Sequence, residues 1–396
     1  MNTLLADGVR AFDVVPPSPR PVPVKDWTVM VYMNGKNNLE PFGLKDLNEM
    51  ESAGSTDRVN VVAQLGRIAG YSSEDGDWKT VRRYLVKKDS QPAKVTSPVL
   101  QEFQRLDMGD YRSLAEFGSW VKENYPARHY MLIVWNHGSG WKRARAAGRG
   151  ISYDDETGNH ITVAQLAGVL RGIGGTDIYA SDACLMQMAE VAWELKDSAP
   201  YIIGSEETEP VDGYSYGPFL SELAARPDMG PEELSAAVAN AYSNYYSGND
   251  TGSTISYLRA SALPELARAA DGLVSELMAK GARQLALDAA RGAKSYAYPD
   301  NRDMYDFAVR VERGASDDVI RAAARRLAAV IKERVVAYNR TTNSTGGPWG
   351  ANPVDHTNSN GLAVHLPTVP VAEGYAGLRW AADSRWDEFL GWLSGK

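Results

Sequence analysis

Five short apolar runs, each of strand length and most followed by a helix-like stretch, limit this chain to few folds. They are Trp27–Met33, Val59–Leu65, His129–Trp135, the end of a strand at Ile178-Tyr179, and Tyr201–Ser205. Runs that are apolar throughout, rather than alternating, fit strands covered on both faces. Between them the sequence turns helical. Leu44, Leu47 and Met50 mark one helix; Ser113-Leu-Ala-Glu116 and Thr162-Val-Ala-Gln165 have capping-box spacing and open two more. This rhythm predicts a mostly parallel central sheet flanked by helices, an α/β fold. Trp78–Val86 alternates more and reads as an edge or hairpin strand.

The only cysteine in 396 residues, Cys184, follows the Ile178-Tyr179 strand. Leu185–Leu195 reads as a helix starting just behind it, a position where N–H groups and the helix dipole favour a thiolate. A lone cysteine is ordinarily a small buried hydrophobe. Here, however, His137 also sits past a strand end, on the turn Asn136-His137-Gly138-Ser139-Gly140. If the two strands are parallel neighbours, thiol and imidazole emerge at one sheet edge, a nucleophile beside a general base. The other four histidines, His129, His160, His356 and His365, read as structural, and none has zinc-ligand spacing.

Two loops flank these elements. Lys142–Gly150 is basic and glycine-punctuated; it is either solvated surface or a cleavage site. Glu206–Tyr216 is acidic; it is either solvated surface or a pocket floor whose buried carboxylate selects a cationic side chain. The expected division is a disordered proline-rich tail at 1–25, the α/β domain at 26–250, and a helical subdomain packing on the sheet at 251–396. From about residue 230 the character turns helical, with helices predicted at 231–246, 261–280 and 317–336, and Gly361–Pro367 reads as a last strand that returns to the sheet.

A net charge of −8 gives no support to a nucleic-acid partner. No run reaches the roughly 20 apolar residues of a membrane span, and Met1–Val14 lacks the core of a signal peptide. The compartment stays open between secretion of a trimmed chain and the cytoplasm. No phosphate-binding glycine motif follows an early strand, which argues against a nucleotide binder.

At Trp27–Met33, Asn136–Trp141, Ser181-Asp-Ala-Cys-Leu185 and Ser205-Glu-Glu-Thr-Glu-Pro210 the chain resembles the clostripain family of cysteine peptidases, relatives of caspases and gingipains. The resemblance covers about residues 25–220 and implies a caspase-like fold. It implies Cys184 as nucleophile, His137 as its partner, and the backbone N–H groups of Gly138 and Cys184 as oxyanion donors. Cleavage after Arg or Lys would follow, with Asp182 and Asp212 as candidates for the basic-residue pocket. Self-cleavage would fall at Arg145 or Arg149. Some family members need calcium, for which Asp154, Asp155 and Glu156 are candidates. The expected protein is a monomeric endopeptidase acting on protein or peptide substrates; the alternative is a non-catalytic peptide-binding module on the same scaffold.

Overall fold

The computed structural model describes residues 23–91, 93–141, 150–346, 353–371 and 374–395. Most of the proline-rich tail lies outside them. So does 142–149, with Arg145 and Arg149. The strands are β1 (Lys25–Gly35), β2 (Val59–Arg67), β3 (Val81–Leu85), β4 (Val99–Phe103), β5 (Ala127–Trp135), β6 (Ile178–Asp182), β7 (Tyr201–Gly204), β8 (Ser253–Arg259), β9 (Asn301–Asp303), β10 (Val336–Thr342) and β11 (Ala363–His365). Nine of them form one sheet in the order β10-β8-β7-β6-β5-β1-β2-β3-β4. The central strands β7, β6, β5, β1 and β2 run parallel, as their unbroken apolar runs predict. Antiparallel pairs finish both flanks.

Helices cover both faces. On one lie α1 (Glu40–Glu51), α5 (Tyr216–Ala225) and α6 (Pro231–Gly248). On the other lie α2 (Tyr111–Asn124), α3 (Val163–Gly172) and α4 (Ala189–Leu195). The second face also carries α7 (Leu263–Ala279), α8 (Arg283–Gly292), α9 (Met304–Gly314), α10 (Asp318–Val330), α11 (Arg379–Asp383) and α12 (Trp386–Ser394). The pleat divides β5 between these layers: Leu132 and Val134 join one core, Met131, Ile133 and Trp135 the other.

Three expectations change. The chain after residue 250 returns two strands to the main sheet, β8 and β10, and neither is the Gly361 run. That run instead supplies β11, which pairs with β9 in a separate two-stranded sheet. Of the two readings of Trp78–Val86, the hairpin strand holds: it contributes β3, antiparallel to both β2 and β4, and β4 forms the edge. At α2 the cap is Asp110, which accepts from the Arg112 N–H; Ser113 lies inside the helix, and the Glu116 carboxylate pairs with Arg83. The capping box at α3 forms as predicted, with Thr162 and Gln165 exchanging hydrogen bonds.

Candidate active site

β5 and β6 are parallel neighbours, and Trp135 pairs with Asp182 at their carboxyl ends. His137 and Cys184 each stand two residues beyond that rung. Open α/β sheets gather ligands at this edge. The ladder continues one step further, since the Asn136 N–H donates to the Asp182 carbonyl at 3.1 Å. Both side chains line a cavity of about 110 Å³, with Leu39, Trp135, Asp182, Glu209 and Val211 among its other walls. A wider recess of about 530 Å³ opens at the amino ends of the strands, around Lys122, Tyr130 and Asp177. Two of its charges are already engaged: Lys122 donates to the Gly175 carbonyl, and Asp177 accepts from the Tyr130 N–H and pairs with His129.

Cys184 does not stand at a helix N-terminus. The helix begins only at Ala189, because the intervening backbone is used elsewhere. Leu185 takes a left-handed φ of 62°; its N–H donates to the Glu207 carbonyl, that of Gln187 to Ser205, and Met188 bridges to Ala363. The thiol therefore receives no helix-dipole stabilisation, and burial pushes its pKa up. The Glu209 N–H, 3.3 Å from Sγ, opposes that shift. Burial also lowers the His137 pKa, with Asp155 acting against it. Both shifts act against the charged form of their group.

Gly138 lies hard against the cysteine. A Cβ there would sit 2.3 Å from the Cys184 carbonyl oxygen, so only glycine lets the two turns close together. His137 Nε2 lies 2.7 Å from Asn38 Oδ1. The other histidines are held away from the cavity: His129 by Asp177, His160 stacked on Tyr153, His365 packed on Trp141 and Tyr375, and His356 buried with its backbone N–H on Asn343.

The cavity wall is acidic. Asp182 is buried, its Oδ1 accepting from the Tyr214 N–H at 3.1 Å and its Oδ2 from the Tyr216 hydroxyl at 2.7 Å. Gly213, at φ 58°, gives Asp182 room: a Cβ there would lie 2.7 Å from Oδ1. Glu209 meets Asp182 across the wall. Both its carboxylate oxygens are shut off from solvent without a well-formed hydrogen bond. Burial pushes Asp182 up to about 6 and Glu209 well above the usual carboxylate range, with Asp182 adding to the shift on Glu209. Behind Trp135, whose indole donates to it at 2.6 Å, stands a third buried carboxyl, Asp46.

Asp212 does not join this wall. Burial opposes ionisation of its carboxylate, but hydrogen bonds from Lys45 at 2.6 Å and Tyr245 at 2.9 Å hold its pKa below the ordinary value. Glu209 lines the cavity beside Asp182 where Asp212 does not, and the sequence alone singles out neither Glu209 nor Asp46. Two of the three candidate calcium ligands, Asp154 and Glu156, are already engaged. Asp154 accepts from the N–H groups of Met108, Glu156 and Thr157, while the Lys36 ammonium lies 3.9 Å from Asp154 and pairs with Glu156. A lysine occupies the place where a cation's charge would be needed, so this turn does not fit calcium. Among the described residues no cluster of three or more His, Cys, Asp or Glu could hold a metal ion, and no helix is long and apolar enough to cross a membrane.

A largely parallel sheet that releases a thiol and an imidazole from adjacent strand ends defines an α/β protein of the caspase-like class. The chain belongs to the Clostripain family, whose sequence model matches residues 31–356. Clostripain of Hathewaya histolytica is 28% identical over 221 residues, which is 50% of this chain and 42% of clostripain. The match thus spans less than half of that relative's length. Two solved structures share the fold. A secreted C11 cysteine protease from Bacteroides thetaiotaomicron, in complex with an irreversible peptide inhibitor, is 20% identical, with a TM-score of 0.69 over 92% of this chain and 99% of that one. An inactive zymogen C11 protease from Parabacteroides distasonis is 21% identical, with a TM-score of 0.65 over 93% and 99%.

Proposed function

We propose that this protein is a cysteine endopeptidase that cuts after Arg or Lys, with Cys184 as nucleophile and His137 as its acid–base partner. One observation carries the reading: thiol, imidazole and two buried carboxyls, Asp182 and Glu209, line a single cavity. In the proposed reaction Sγ bonds to the scissile carbonyl carbon while His137 takes the thiol proton. The backbone N–H groups of Gly138 and Cys184 receive the oxyanion, where charge develops. His137 then protonates the leaving amine as the C–N bond breaks, and water hydrolyses the thioester.

The acidic wall supplies the selectivity. A carboxylate buried without a partner is costly, and a guanidinium or ammonium entering the cavity removes that cost. Asp182 and Glu209 are therefore the proposed specificity residues, with Asp212 holding their loop to α1 and α6 through Lys45 and Tyr245. The proposal extends to self-cleavage at Arg145 or Arg149, in the basic segment between the buried residues Trp141 and Gly150. The proposal includes a monomer as the active form.

The test uses peptides carrying a reporter after Arg, Lys, Asp or Leu, with wild type and Cys184→Ala. Turnover is expected only after Arg or Lys and only in wild type. Equal activity of the two proteins would remove the dyad, and turnover of none of the peptides would favour the non-catalytic binding module. Mass spectrometry of both proteins reads self-cleavage: wild type is expected in fragments ending near 145–149, the variant whole.

A further inference from the structure

An imidazole has two nitrogens, and a base must present the one without a proton. The His137 Nε2 contact with Asn38 Oδ1, at 2.7 Å, settles which. An amide oxygen only accepts, so the ring proton sits on Nε2 and the lone pair on Nδ1. Asn38 stands on the turn between β1 and α1, and β1 is the strand beside β5. The next residue, Leu39, lines the cavity itself.

That turn is held firmly. Asn37 Oδ1 accepts from the Leu39 N–H and Asn37 Nδ2 donates to the Tyr153 carbonyl, both at 2.9 Å. Asn34 Nδ2 donates to Ser152 Oγ and to the same Tyr153 carbonyl, both at 3.1 Å, while Asn34 Oδ1 accepts from the Lys36 N–H. Asn136, immediately before His137, accepts from the Tyr153 N–H at 2.6 Å and donates to the Asn34 carbonyl at 2.5 Å. Both turns, one carrying Asn38 and the other His137, are thus tied to one residue, Tyr153. A hydrogen bond between two side chains so anchored is pre-organised rather than incidental.

We infer that Asn38 is the positioning residue of His137. It fixes the Nε2–H tautomer, so that Nδ1 is the nitrogen that takes the Cys184 proton and passes it to the leaving amine. Nε2 stays bonded to Asn38 throughout, and the imidazolium formed between the two transfers keeps its second proton on that bond. The inference rests on the peptidase reading proposed above.

The test compares wild type with Asn38→Ala and Asn38→Asp as full-length proteins. In Asn38→Ala, kcat for the Arg peptide is expected to fall about 10- to 100-fold with KM nearly unchanged, as for loss of an interaction that acts in the transition state. Asn38→Asp keeps an acceptor and adds a charge that favours imidazolium. It should recover most of kcat and move the acid limb of the kcat–pH profile to higher pH. Nitrogen NMR of labelled histidine reads the tautomer directly: Nε2–H in wild type, mixed in Asn38→Ala. A role in folding alone would change melting temperature and KM together and leave tautomer and pH limb where they are. Wild-type kcat in Asn38→Ala, or an unaltered tautomer, would overturn the inference. An inactive wild type would instead sink the peptidase reading, with the NMR result still deciding the Asn38 bond.

Discussion

Asp182 and Glu209 bring two carboxyl groups together within one wall of the cavity that holds Cys184 and His137. Two acids so placed cannot both ionise cheaply while the cavity is empty. On the proposed reading the empty site keeps a proton, which a bound substrate cation displaces.

The first prediction concerns pH. Burial pushes Asp182 up to about 6, so ionisation of the pair, and with it affinity for a guanidinium, grows as pH rises through that value. KM for the Arg peptide should fall by up to about tenfold per pH unit between about pH 5 and 7, with one proton released on binding. Burial lowers the His137 pKa, which moves its own ionisation away from the upper part of that window. Initial-rate measurements across the range check this; a flat KM would contradict the shared proton.

Replacing Glu209 with Gln should separate selectivity from stability. The variant loses a charge-assisted hydrogen bond of about 1.5–3 kcal/mol to the substrate cation, so kcat/KM for Arg should drop about 10- to 100-fold. Stability should move the other way. A carboxyl whose folded pKa lies above its unfolded value destabilises the fold as pH rises past the unfolded value, and Gln cannot ionise. Glu209→Gln should therefore be more stable than wild type by about 1 kcal/mol at neutral pH, with the gap closing in acid. Thermal melts at two pH values read this.

Gly138→Ala tests the close approach of the two turns. The added methyl would meet the Cys184 carbonyl oxygen at 2.3 Å, and the backbone must yield. A displacement near 1 Å costs about 100-fold in rate, so kcat should fall by that order while the fold persists. Circular dichroism alongside the assay distinguishes the two effects.

Lys36→Met should destabilise the protein by about 3 kcal/mol, since it leaves the Asp154 carboxylate buried without its cation. Denaturant titration measures the loss. The same change opens the turn to a metal ion, and added calcium restoring stability to the variant but not acting on wild type would confirm that lysine fills that role.

The parts of this fold that could be read in advance are those where one signal dominates. β1, β2, β5 and β7 are apolar along their length because both faces are covered, and runs of that kind stand out in any sequence. β8 (Ser-Thr-Ile-Ser-Tyr-Leu-Arg) and β10 (Val-Ala-Tyr-Asn-Arg-Thr-Thr) mix polar and apolar residues, since β10 is an edge and β8 lies next to it, and so they escape notice. The segment after Cys184 has helical composition from Leu185 onward, yet tertiary hydrogen bonds from Ser205, Glu207 and Ala363 claim its first residues. His137 and Cys184 could be paired in advance because each follows a legible strand. Glu209 could not be told from Glu206 or Glu207: which acid of a run faces a cavity depends on the path of the loop, not on residue type. Asn38 is a commonplace turn residue until its partner is seen.

The Gly361–His365 segment seals the loop behind the nucleophile. Its N–H groups reach Glu206, Gln187 and Glu190, and Ala363 bridges to Met188. Synthesis runs from the amino end, so Cys184 is made long before the strand that braces it. A nascent chain therefore carries its thiol before the segment that braces the loop behind it has been made.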